Sequence, residues 1–111
     1  MRTITRLSIL LALALPARLF AGEIFGSITE NGKPVGESVK IEITAANKSS
    51  YTDTTDKFGA YRVFVKEKGK CTFTIYYKEQ TASAELFSYD KSLRYDWILE
   101  AKEGTYTLRR K

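Results

Sequence analysis

Histidine is absent from the whole 111-residue chain, and that closes off more chemistry than any residue present opens. Ser–His–Asp triads, imidazole acid–base catalysis and histidine-ligated zinc all need the missing side chain. The remaining reactive candidates are few. Cys71 is the single cysteine. A thiol becomes a nucleophile beside a base or cation, whereas Cys71 alternates with Phe73 and Ile75 and reads as a small buried apolar residue. Asp53 and Asp56 share one polar stretch. Calcium wants six to eight oxygen ligands in a spaced acidic loop, which is missing here, so both are expected to cap turns. No metal, cofactor or catalytic residue is expected.

Other reactive pairings also give way to structural ones. A Lys-to-Asn cross-link needs a buried lysine facing an Asn or Asp, but alternation puts Lys40 and Asp96 outward. Arg94 and Asp96 share a strand face, and a surface pair of that kind contributes under about 1 kcal/mol. Asn47-Lys48-Ser49 is a glycosylation sequon, with meaning only in a eukaryotic secretory host. For recognition the chain offers aromatics. Phe58, Phe64, Tyr76 and Tyr89 are expected at outward or loop positions, where rings stack on sugars or anchor a protein partner.

Those side chains need a framework. Residues 1–6 are short and basic, residues 7–15 are almost wholly apolar, and Pro16 then leads to Leu19-Phe20-Ala21. This order predicts a secretory signal peptide over residues 1–21, cut after Ala21, although Leu19 is bulky for its place. The apolar run is well short of the roughly 20 residues that span a bilayer. No stable membrane anchor and no lipid anchor are expected, and the chain is expected to be secreted, periplasmic or extracellular. The domain is then residues 22–111. Losing Arg2, Arg6 and Arg18 takes the net charge from +5 to +2 (+5 − 3). Arg109-Arg110-Lys111 is the one basic cluster, so there is neither a broad basic face nor a reading motif for nucleic acid. With one cysteine, no internal disulfide can form, and stability must come from packing.

The domain reads as strands punctuated by turns. Ile24, Gly26 and Ile28 alternate with Phe25, Ser27 and Thr29, and Glu30-Asn31-Gly32-Lys33-Pro34-Val35-Gly36 turns the chain. Val39, Ile41, Ile43 and Ala45 form a second inward set. After a polar stretch in which Tyr51 and Thr52 begin a short strand, Thr55-Asp56-Lys57-Phe58-Gly59 turns again. Tyr61, Val63 and Val65 then precede Cys71, Phe73, Ile75 and Tyr77, with Glu67-Lys68-Gly69 between. A hairpin centred on Lys68 would set Val65 opposite Cys71 and Val63 opposite Phe73, with Phe64 and Tyr76 on adjoining outer positions. Ala82, Ala84 and Leu86, then Tyr95, Trp97 and Leu99, then Tyr106 and Leu108 mark the remaining strands. Seven or eight short strands with no helix predict an all-β sandwich.

Particular residues add a resemblance. Gly26-Ser27-Ile28, Gly32-Lys33-Pro34-Val35-Gly36-Glu37-Ser38-Val39-Lys40-Ile41 and Thr55-Asp56-Lys57-Phe58-Gly59-Ala60-Tyr61 are similar to the carboxypeptidase regulatory-like domain, whose fold resembles transthyretin. The match covers residues 24–77, with Cys71 where the family carries an aromatic. The resemblance implies a seven-stranded Greek-key sandwich that serves as a folding or interaction module without peptidase activity. The expected function is a secreted, non-enzymatic binding or structural module, with an unidentified protein or glycan as partner. A carbohydrate-binding module using the outer aromatics is the alternative. A transthyretin-related hydrolase acting on 5-hydroxyisourate is remote, since that family's histidines and C-terminal tetrapeptide are missing.

Overall fold

A computed structural model of the protein describes residues 22–111, and these form strands and turns with no helix. The expected signal peptide lies outside the described residues. The strands are β1 (Glu23–Glu30), β2 (Lys33–Pro34), β3 (Lys40–Ala45), β4 (Ser50–Thr54), β5 (Ala60–Phe64), β6 (Gly69–Tyr77), β7 (Gln80–Ser88), β8 (Leu93–Arg94), β9 (Trp97–Lys102) and β10 (Thr105–Arg110). Seven or eight were expected. The excess comes from β2, which is only the short return of the first hairpin, and from the break between β8 and β9.

Two sheets form. In the first, β1 is central: β5 and β2 pair antiparallel with it, β8 and β9 pair parallel to it, and β10 returns along β9. The second has the order β4-β3-β6-β7, antiparallel throughout. Turn chemistry sets the local reversals. Asn31-Gly32 has φ of 54° and 78°, the double positive φ of a two-residue hairpin turn. Lys78-Glu79 turns β6 into β7 with φ of 49° and 64°, although neither residue type favours that conformation.

Each sheet turns its apolar face to one shared core. Ile24, Ile28, Tyr61, Val63, Trp97 and Leu99 come from the first sheet, and Ile41, Ile43, Cys71, Phe73, Ile75 and Leu86 from the second; all are buried. The sheets touch through rings: Phe73 stacks on Trp97 with centroids 5.0 Å apart. Tyr61 ties the core together, since its hydroxyl donates to the Tyr95 carbonyl at 2.6 Å and accepts from Trp97 Nε1 at 3.1 Å. Between β8 and β9 the ladder is interrupted, and the Asp96 carboxylate takes over by accepting from the Ser27 amide at 2.9 Å. That close approach demands glycine at position 26, because a Cβ there would lie 1.9 Å from the Tyr95 carbonyl oxygen.

The expected hairpin of β5 with β6 does not form. β5 pairs with β1, while β6 pairs with β3 and β7, so residues 65–68 carry the chain from one sheet to the other. Tyr61, Val63, Cys71, Phe73 and Ile75 are buried all the same. Strands side by side in one sheet and strands facing each other across two sheets present the same alternate residues to the core. Phe64 and Tyr76 are consequently on the outer faces of different sheets, not neighbours on one.

Candidate functional site

Each expected contact residue is exposed, but they occupy three regions. Phe58 is 65% exposed at the tip of the β4–β5 turn. Asp56 Oδ1 holds that turn by accepting from the amides of Phe58 at 2.9 Å and Ala60 at 3.0 Å. Tyr76 stands on the outer face of the second sheet. Its hydroxyl donates to Glu42 and Lys40 Nζ lies 4.9 Å from its ring centre, so ring and hydroxyl are both engaged. The Tyr76 bond holds the Glu42 carboxyl below its ordinary value, and raises the phenol in turn.

Phe64 and Tyr89 sit at the end of the molecule where β1 begins, and Phe87 joins them there. Phe64 ends β5 opposite Glu23, Phe87 precedes the last residue of β7, and Tyr89 opens the connection to β8. Phe87 was absent from the sequence-based set, although the inward parity of Ala82, Ala84 and Leu86 places it outward. Phe25 was also missed. It lies on the outer face of the first sheet with the Arg62 and Arg94 guanidinium groups each 5.9 Å from its ring centre. Those arginines are held by Glu23 at 2.9 Å and Asp96 at 2.8 Å. Burial opposes the Asp96 charge, but Arg94 and the Ser27 amide outweigh it and keep its pKa below the ordinary value.

The connections at this end are locked to one another. Glu67 accepts from the Tyr51 hydroxyl at 2.6 Å and from Asn47 Nδ2 at 2.9 Å. Those bonds, the Tyr51 one foremost, bring its carboxyl down to about 2. Lys68 pairs with Asp90 at 2.7 Å, and the Val65 amide donates to the Gly22 carbonyl at 2.9 Å. Residues 46–49, 65–68 and 89–92 are thus tied to one another, and 65–68 to the point where the described chain starts.

Reactive geometry is thin. Cys71 is buried, its thiol lies 3.6 Å from the Gly69 carbonyl, and burial pushes its pKa up, all contrary to an activated nucleophile. Asp53 and Asp56 do not converge on an ion: Asp53 accepts the Arg62 amide at 3.0 Å and Asp56 caps its turn. No group of three or more potential metal ligands occurs among the described residues.

No protein-family model matches the chain, and no curated protein matches it. Among solved structures, a 9R-lipoxygenase from Cyanothece PCC8801 overlaps 73% of this chain at 12% identity and a TM-score of 0.44. The chain spans only 16% of that enzyme's length.

Proposed function

We propose that the protein is a secreted, non-enzymatic binding or structural module, a transthyretin-like Greek-key sandwich of the carboxypeptidase regulatory-like type. The observation that carries this reading is the set of exposed rings at one end of a packed core: Phe64 and Phe87 near the ends of strands of the two sheets, and Tyr89 on the connection that follows β7. Rigid scaffolds commonly place recognition on connections of this kind. The lack of histidine and the burial of Cys71 support it further. The carbohydrate alternative is weaker, since Phe64 and Tyr76 do not share a face and Tyr76 is engaged by Glu42 and Lys40.

Two assays test the proposal together. Ester, amide and ureide substrates are expected to show no turnover. A photo-crosslinking residue at position 89, but not one at position 100 on the outer face of β9, is expected to capture a partner in the native compartment. Turnover that disappears with a substitution of a described polar side chain would overturn the reading.

A further inference from the structure

Charge divides unevenly between the two ends of the domain. Where β1 begins, Lys48, Lys66, Lys68 and Lys91 are exposed. Asp90 pairs with Lys68, and Glu67, held by Tyr51 and Asn47, keeps its negative charge, so these six side chains together carry +2 (+4 − 2). At the far end Lys33, Lys57, Lys78 and Lys102 are matched in number by Glu37, Asp56, Glu79 and Glu103, for a sum of zero. The basic end also carries Phe64, Phe87 and Tyr89, exposed by 48%, 41% and 50%. Gly22, where the described chain starts, is bonded to Val65 at this same end.

We infer that this end docks on the surface of an anionic lipid bilayer, with Phe64, Phe87 and Tyr89 at the headgroup boundary and Lys48, Lys66 and Lys91 facing lipid phosphates. Two observations converge on a bilayer. Aromatic rings favour the membrane–water boundary, where one side is apolar and the other wet. Lysines keep their charge at phosphate level while their stems lie along apolar surface. Contact is peripheral, since no helix among the described residues is long and apolar enough to cross. The inference rests on the binding-module reading and narrows it to one end and one partner.

The test is co-sedimentation of the protein, purified after expression of the full chain, with two kinds of vesicle. One is phosphatidylcholine alone, and the other has about one third of it replaced by phosphatidylglycerol, the anionic lipid to which basic segments are drawn. Binding is expected on the anionic vesicles only and is expected to weaken with salt. Lys66→Gln and Lys91→Gln should each lower partitioning about fivefold. Phe64→Ser with Tyr89→Ser should lower it further, while Phe58→Ser at the far end should leave it unchanged. All variants are first required to melt as the parent does. Equal binding to neutral vesicles, indifference to the lysine substitutions, or no sedimentation would overturn the inference. So would self-association abolished by the same substitutions, which would identify a second copy as the occupant. None of these outcomes touches the binding-module reading, which falls on substrate turnover.

Discussion

Replacing Tyr61 with phenylalanine removes one oxygen atom and keeps almost all the apolar area, so it isolates the polar joint inside the core. The hydroxyl donates to the Tyr95 carbonyl and accepts from Trp97 Nε1. Tyr61 and Tyr95 are 4% and 7% exposed and Trp97 is 2% exposed, so water cannot readily replace the lost partner. A buried group left without its partner costs about 1–3 kcal/mol. Two such groups put the expected loss near 3 kcal/mol, a large share of the roughly 5–15 kcal/mol total of a small domain. In a domain of this size that lowers Tm by about 15 °C. Urea denaturation should show a lower midpoint with an unchanged m-value, because the exposed area on unfolding hardly differs. Trp97→Phe should cost about 1 kcal/mol less in the Tyr61→Phe background than alone, since the N–H it removes has already lost its acceptor. Burial also pushes the Tyr61 hydroxyl above its ordinary pKa of 10.0. The folded state therefore holds this proton more tightly than the unfolded one. Its contribution is complete below the unfolded value and is lost as pH rises beyond it. The parent should lose stability above that pH more steeply than Tyr61→Phe. A loss below about 0.5 kcal/mol in Tyr61→Phe, the size of an ordinary surface change, would refute the joint.

Other perturbations address the remaining contacts. Glu67 is depressed to about 2 from 4.5, so its contribution is present above 4.5 and fades as pH falls toward 2. Acid titration of Glu67→Gln, followed by circular dichroism, should lack that part of the parent's decline. Gly26→Ala should cost about 3 kcal/mol or more, as expected when a Cβ is forced against backbone, measured as a fall in the urea midpoint. The Cys71 thiol should resist a disulfide reagent in the folded protein and react as urea populates the open state; rapid labelling in the absence of denaturant would show an accessible thiol.

Parity was the part of the fold most legible in the sequence. Side-chain direction in a strand depends only on the backbone period, which is why Ile41, Ile43, Val63, Phe73, Trp97 and Leu99 were all placed inward correctly. Asn31-Gly32 and Asp56 were legible because these residue types carry their own turn preference. Strand partnership was less so. Residues 65–68 have the composition of a hairpin turn, and only the pairing of β6 with β3 and β7 reveals that the chain crosses between sheets. Lys78-Glu79 gave no turn signal, since its positive φ is imposed by the two strands it joins. At the candidate site, the exposure of Phe64 and Tyr89 followed from local pattern. The clustering of basic connections did not, because residues 46–49, 65–68 and 89–92 are far apart in the chain and meet only through Glu67 and the Lys68–Asp90 pair.

Backbone contacts of Arg62 in a proton NMR spectrum decide whether the chain crosses between sheets after β5, on which the grouping of those connections depends. In the register of β1 with β5, Arg62 lies opposite Phe25 in a non-hydrogen-bonded pair, where α-carbons approach most closely. A strong Hα–Hα cross-peak between Phe25 and Arg62 is the predicted result, with Thr74 giving backbone cross-peaks to Glu42 and Ser83. An Hα–Hα cross-peak between Arg62 and Thr74 would contradict it, because that pair meets only if β5 and β6 form a hairpin.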